Sequence, residues 1–156
     1  MVKYQSVNCF EYIESWSYYI EKAKVTNNNL YLIFDSIEIT KKHPLNPFNN
    51  GWEINKATLT FYDFEVIDAG YYDCSHVQKQ EIIFDKDCLY VPTSLLELIN
   101  DFTLVTEDMK EQNETFFEHC FEGWAWKFGE DIWGYFKICY TRMEMTWDSF
   151  YNQRDK

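Results

Sequence analysis

The sequence predicts a mainly β protein: an antiparallel β-sandwich or partly open barrel with one or two short helices, with an α+β arrangement as the alternative. Three observations carry this. The 156 residues include thirteen Phe, twelve Tyr and six Trp, and such side chains suit a pleated, half-buried surface. Apolar and polar residues alternate over several stretches of strand length. One short pattern also occurs three times, as Leu32-x-Phe34-x-x-Ile37-Glu38-Ile39, Leu59-x-Phe61-x-x-Phe64-Glu65-Val66 and Ile138-x-Tyr140-x-x-Met143-Glu144-Met145. Each copy starts as an alternating strand, skips a beat and resumes on the other parity. A β-bulge at the skipped beat would return all four apolar residues to one face and send the glutamate to solvent. The length fits a single domain, 1–156, with a core of its own.

Taken in order, residues 13–25 read as a first, irregular strand carrying Trp16, Tyr18, Ile20, Ala23 and Val25. Asn27-Asn28-Asn29 is a hairpin turn, since asparagine tolerates left-handed backbone. Residues 30–40 form the return strand. Residues 41–52, with Pro44, Pro47 and Asn49-Asn50-Gly51, read as a loop. The second patterned strand is expected from Ile54 to Ile67, then plainer strands near 79–85 and 88–91. A helix of two to three turns starts after Pro92: Ser94-x-x-Glu97 is a capping box, and Leu95, Leu98, Ile99 and Phe102 fall on one helical face. Residues 106–123 fit a helix or a strand. The glutamates recur at helical spacing, while Phe117, His119 and Phe121 alternate as in a strand. Trp124–Phe128, a turn at Gly129-Glu130-Asp131 and a long strand to Trp147 complete the chain as a hairpin.

The net charge is −12, from 26 acidic and 14 basic side chains. A surface this negative repels phosphate backbones and anionic lipid, which argues against nucleic-acid and membrane partners, and it attracts a basic protein. No stretch approaches the length of a membrane span. The N-terminus has no apolar leader, and the five cysteines show no Cys-x-x-Cys spacing. Both point to free thiols in a reducing cytoplasm.

Chemistry is sparse. Cys74-x-His76 and His119-Cys120 have zinc-ligand residue types but the wrong spacing, so isolated buried cysteines and surface histidines are expected, with no metal and no cofactor. No Gly-flanked nucleophile elbow or phosphate-cradling glycine loop occurs. No catalytic residue is assigned. The strongest handle is the acidic segment 107–131. It holds Glu107, Asp108, Glu111, Glu114, Glu118, Glu122, Glu130 and Asp131 against only Lys110 and Lys127, half of the chain's net charge. With Trp124 and Trp126, these eight acids form the candidate partner-binding set, in which charge steers and rings anchor.

The hairpin-like WSYYIEKAKVTNNNLYLIF, the WEINKATLTFYDFEV strand and the late MEMTWDSF strand, with a Leu-x-Phe core and a late Trp-Asp, resemble the bacterial immunity proteins that neutralise polymorphic toxins. The resemblance implies a stoichiometric inhibitor that blocks a basic toxin domain with acidic and aromatic residues. A ligand-binding β-barrel or sandwich with an aromatic-lined pocket is the alternative, and an enzyme using paired carboxylates is the second.

Overall fold

The computed structural model describes residues 3–14, 17–77, 87–112 and 115–151, with the side chains of residues 111 and 112 excepted. Trp16 and the strand expected near 79–85 lie outside the described residues. The fold is mainly β: two six-stranded antiparallel sheets packed as a sandwich, with no closed barrel. The first sheet contains β1 (Tyr4–Val7), β3 (Lys22–Thr26), β4 (Asn29–Ile39), β5 (Trp52–Tyr62), β11 (Arg142–Trp147) and β12 (Ser149–Phe150). Its order is β1-β11-β5-β4-β3, with β12 also on β5. The second contains β2 (Tyr18–Tyr19), β6 (Glu65–Asp73), β7 (Leu89–Pro92), β8 (Phe102–Gln112), β9 (Phe116–Lys127) and β10 (Glu130–Tyr140), in the order β2-β8-β9-β10-β6-β7.

The inner faces interlock through aromatic rings. Phe61 of the first sheet meets Phe121 and Tyr140 of the second edge-on, at ring-centroid distances of 6.0 and 4.8 Å. Leu30, Leu32, Phe34, Ile37, Ile39, Leu59, Phe136, Ile138 and Met145 are completely buried around them. At about 1.5–3 kcal/mol for each large apolar side chain, this interior dominates the favourable side of folding.

The three patterned segments separate into two kinds. In the first copy the break lies inside a hairpin. Leu30, Leu32 and Phe34 point inward, and so do Ile37 and Ile39, so parity changes at Asp35. The neighbouring β5 changes parity at the same level, where Lys56 adopts a φ of +57°, and the pairing on either side keeps one register. A bulge in both strands at once leaves the ladder aligned while both inner faces stay apolar.

The other two copies are crossings between sheets. At Asp63, φ +51°, the chain leaves β5 in the first sheet and enters β6 in the second. At Thr141 it leaves β10 in the second sheet for β11 in the first. The single strands expected from Ile54 to Ile67 and from the last turn to Trp147 are therefore each two strands in different sheets. The four apolar residues of the third copy reach the core, but Val66 of the second stays exposed. Glu38, Glu65 and Glu144 all face away from the core.

Local chemistry explains most other elements. Asn27 and Asn28 take φ values of +52° and +62° and close the β3–β4 hairpin. The turn between β9 and β10 is Phe128-Gly129, at +54° and +77°, one residue earlier than expected. The helix, α1, spans only Leu95–Ile99. Ser94 Oγ accepts the Glu97 N–H at 3.3 Å, while the Glu97 carboxylate accepts the Thr93 hydroxyl at 3.0 Å. The cap is thus half of the expected box, and Phe102 belongs to β8. The expected first strand, 13–25, is broken. Ile13 bridges Ile39, and β2 and β3 lie in different sheets.

Two expectations are overturned. Cys74 and Cys88 form a disulfide across a sequence separation of 14, so only Cys9, Cys120 and Cys139 are free. His43 and His119 are buried rather than on the surface. Leu45 N–H donates to His43 Nδ1 at 3.1 Å, which leaves Nε2–H to donate to Ser6 Oγ at 3.3 Å. No helix among the described residues is long and apolar enough to cross a membrane.

Candidate functional site

The described part of 106–123 is strand, in β8 up to Gln112 and in β9 from Phe116, and the β8–β9 pairing decides where each described acidic side chain goes. Phe102 and Leu104 of β8 point into the core. The register then slips between Leu104 and Thr106, so Val105 is an extra residue. Beyond this bulge parity reverses, and Glu107 turns inward opposite Phe121. Its carboxylate meets His119 Nε2 at 2.6 Å, and Tyr140 OH meets Nδ1 at 2.8 Å. His119 is stacked on Phe121 at 4.0 Å and capped edge-on by Phe10 at 4.3 Å. Burial between these rings lowers the imidazole pKa, and the Glu107 carboxylate opposes that only in part. The histidine is neutral, with Nε2–H donating to Glu107 and Nδ1 accepting from Tyr140. Glu107 is thus a half-buried group turned toward the core side of the sheet, not a member of a solvated acidic face.

The remaining candidates divide by face. Asp108, Glu118 and Glu122 point outward from the second sheet, since their neighbours Glu107, His119 and Phe121 point in. Asp108 lies 4.0 Å from Lys110, and Glu118 lies 3.5 Å from Lys137, so both are partly neutralised. Trp124, Trp126 and Asp131 share the same outer face, while Glu130 sits exposed at the start of β10. Glu114 and the Glu111 side chain lie outside the described residues.

The sheet register assembles something the linear sequence does not announce. Tyr19 pairs with Thr103, Thr103 with Trp124, Trp124 with Trp133, and Tyr72 with Tyr90. Trp133 stands one residue before Gly134, and Tyr72 one residue after Gly134's partner Tyr71. These six side chains therefore form one row across all six strands of the second sheet, and five are aromatic. At about 4.8 Å between strands, the row is roughly 24 Å long. Trp124 and Trp133 meet edge-to-face at 4.9 Å, so they do not make a flat surface. Trp133 Nε1–H donates to Glu122 at 3.1 Å, which fixes its ring.

Backbone chemistry supports the row. Gly70 lacks a side chain where the Tyr90 ring crosses the outer face: a Cβ there would lie 2.6 Å from Tyr90 Cζ. The Tyr90 hydroxyl donates to Asp68 at 2.8 Å. Burial and that carboxylate push its pKa far up, so it stays a donor. On the inner face Gly123 and Gly134 are paired with each other, and the Phe102 ring rests on both.

Among the described residues, the exposed aromatic side chains gather at one end. Trp124 is 44%, Trp126 52% and Phe128 80% exposed. Two open depressions flank Trp124. The larger, about 710 Å³, lies between Tyr72, Trp124 and Trp133 and is rimmed by Asp73, Glu122, Glu130 and Asp131. The smaller, about 340 Å³, lies between Tyr19, Trp124 and Trp126 with Asp101 and Asp131. The hydrogen bond from Ser75 N–H holds the Asp73 carboxyl below its usual range. Among the described residues, no three His, Cys, Asp or Glu side chains are grouped to hold a metal ion.

Trp133, Tyr72, Tyr19 and Tyr90 are absent from the set expected from sequence. They come from four strands; Trp133 adjoins the acidic segment in sequence, but only the register unites it with the three tyrosines, to which no spacing along the chain points. In comparisons with protein-family models, curated proteins and solved structures, none matches this chain.

Proposed function

We propose that this chain is a non-catalytic binding protein whose outer face on the second sheet captures a basic protein, in the manner of the toxin-neutralising immunity proteins that its strand patterns resemble. One observation carries the reading. Large aromatic side chains stand exposed beside carboxylates with no described cation near them. Lys127 is the nearest lysine in sequence, and its ammonium group is drawn off to the Glu97 carbonyl at 2.6 Å. Exposed tryptophans are the residue type that anchors protein interfaces, and unpaired negative charge speeds encounter with a basic partner. Packed side chains fill the space between the sheets, and the depressions of this region open outward, which favours a surface binder over a container for a small ligand.

The compartment enters through the cysteines. A closed Cys74–Cys88 bond persists in an oxidising milieu and opens in a reducing cytoplasm, so the thiol state in cells reports where the encounter occurs.

The test is capture of the partner from the native host by the full chain, followed by association kinetics. Replacing Glu118, Glu122 and Asp131 with lysine should slow association at least ten-fold at low salt and flatten its salt dependence. Unchanged rates would remove this face from consideration. If the captured partner is a toxin, the chain should abolish its activity at one-to-one stoichiometry.

A further inference from the structure

We infer that Trp124 divides two cation-binding notches, each taking the guanidinium or ammonium group of one arginine or lysine side chain, so that this face reads a pair of basic residues on its partner. The inference rests on the binding-face reading and names the chemistry of the occupant.

Trp124 and Asp131 line both depressions. In the larger, the edge-to-face Trp124–Trp133 pair leaves ring faces turned at 78° to one another rather than a flat stacking surface. A planar sugar chain needs coplanar rings in series, whereas a compact cation needs one ring face and a carboxylate within reach. Both are present. Glu122 already receives the Trp133 N–H, Asp73 receives the Ser75 N–H, and Asp101 receives the Tyr19 hydroxyl. Each carboxylate has lone pairs beyond those single bonds. No described lysine or arginine lies within 4.0 Å of Asp73, Asp101, Glu122, Glu130 or Asp131. The carboxylates on this face that do have a lysine, Asp108 and Glu118, lie further along the strands, away from Trp124. Among the described residues, negative charge without counter-charge therefore coincides with the exposed rings, and charge complementarity selects a basic side chain.

The two notches sit over neighbouring parts of the sheet, centred near β10 and near β8. Two inter-strand steps separate these strands, about 10 Å. Two long basic side chains on one extended segment span that distance. Engaging both makes the second contact intramolecular, and the pair should bind far more tightly than either cation alone.

The experiment titrates the full chain, labelled with ¹⁵N, with the blocked peptide Gly-Arg-Gly-Gly-Arg-Gly at low salt. A second peptide replaces one arginine with citrulline, which keeps the shape and loses the charge. Indole N–H signals and calorimetry are the readouts. The Trp124, Trp126 and Trp133 signals should shift, and the two-arginine peptide should bind at least ten-fold more tightly than the citrulline peptide. Trp124→Leu should abolish that advantage. Asp131→Asn should weaken binding at least three-fold while the unshifted indole signals keep their positions, which reports an intact fold.

Equal affinity for the two peptides overturns the inference, as does no binding, or shifts confined to Trp52 and Trp147. Shifts caused by a neutral oligosaccharide but not by the arginine peptide also overturn it and make the row a sugar-binding surface. Undiminished partner capture by Trp124→Leu and Asp131→Asn, with capture lost on charge reversal at Glu118, which lines neither notch, sinks the notches and leaves the face standing. Capture that survives every one of these changes sinks the face itself.

Discussion

His119 is the group whose pH behaviour is most firmly dictated by its surroundings. It is completely buried, sandwiched by Phe121 and capped by Phe10, with Glu107, Asp108 and Tyr140 as the polar groups around it. Burial lowers its pKa in the folded protein and outweighs the Glu107 carboxylate. In the unfolded chain the imidazole has an ordinary pKa of about 6.5. On acidification the unfolded state therefore takes up a proton that the folded state refuses. Stability is present above the unfolded pKa and is lost as pH falls through it. Between pH 7.5 and 5.5 an ordinary histidine goes from about one-tenth to about nine-tenths protonated. The loss cannot exceed the free energy of protonating the unfolded imidazole over that range, about 1.4 kcal/mol per histidine. His43 has the same sign, because burial lowers its pKa too.

The perturbation is His119→Gln, which keeps an N–H for Glu107 but cannot titrate. At pH 7.5 the variant should lose about 1–3 kcal/mol, since the Tyr140 hydroxyl bond is weakened. The informative quantity is the change with pH. Urea unfolding at both pH values should give a larger loss for wild type than for the variant, with about 1.4 kcal/mol as the ceiling. Equal pH dependence would mean that the folded imidazole titrates normally. If wild type instead gains on the variant at acid pH, the Glu107 carboxylate outweighs burial and the reasoning is refuted.

Other expectations test separate features. Gly123→Ala puts a Cβ against the Thr103 carbonyl; it should cost about 3 kcal/mol or more, or prevent folding, in a thermal melt. Gly129→Ala meets no neighbouring atom but sits at φ +77°, and it should cost only about 1 kcal/mol. Ser94→Ala removes the side chain that caps α1 and should cost about 1 kcal/mol by urea unfolding. Thiol titration of the denatured, unreduced protein should find three thiols among the five cysteines. Cys74→Ser, which opens the disulfide loop, should cost about 3 kcal/mol relative to the oxidised protein.

The β-sandwich was legible because aromatic load and alternation are properties of single strands, and each strand carries its own share. The Asn27-Asn28 turn and the Ser94 cap were legible for the same reason: their chemistry is complete within four residues. The crossings at Asp63 and Thr141 were not. A bulge and a change of sheet leave the same trace in sequence, a switch of apolar parity, and only the pairing partner distinguishes them. Glu107 was misplaced because the Val105 bulge upstream of it reverses its direction, and Val105 carries no sign of being unpaired. The acidic character of segment 107–131 was visible at once. Its division among inward-turned, neutralised and unpaired carboxylates depended on β8–β9 register and on lysines from other positions. The Cys74–Cys88 bond joins residues 14 apart in sequence, a pairing that spacing alone does not encode.

The position of β11, wedged between β1 and β5, has a bearing on how the protein comes into being. Val7 and Tyr62 each have a neighbour in β11, at Glu144 and Arg142. Arg142 leaves the ribosome 80 residues after Tyr62. At about 5–20 residues per second this is a wait of roughly 4–16 s. Throughout that interval β1 has no strand to join, and β5 holds an apolar edge open that templates pairing with other chains. Completion of the first sheet is therefore a late event that waits on β11. A ribosome that stalls before Arg142 releases a chain with a matching gap in its sheet, which a neighbouring nascent chain can fill in its place.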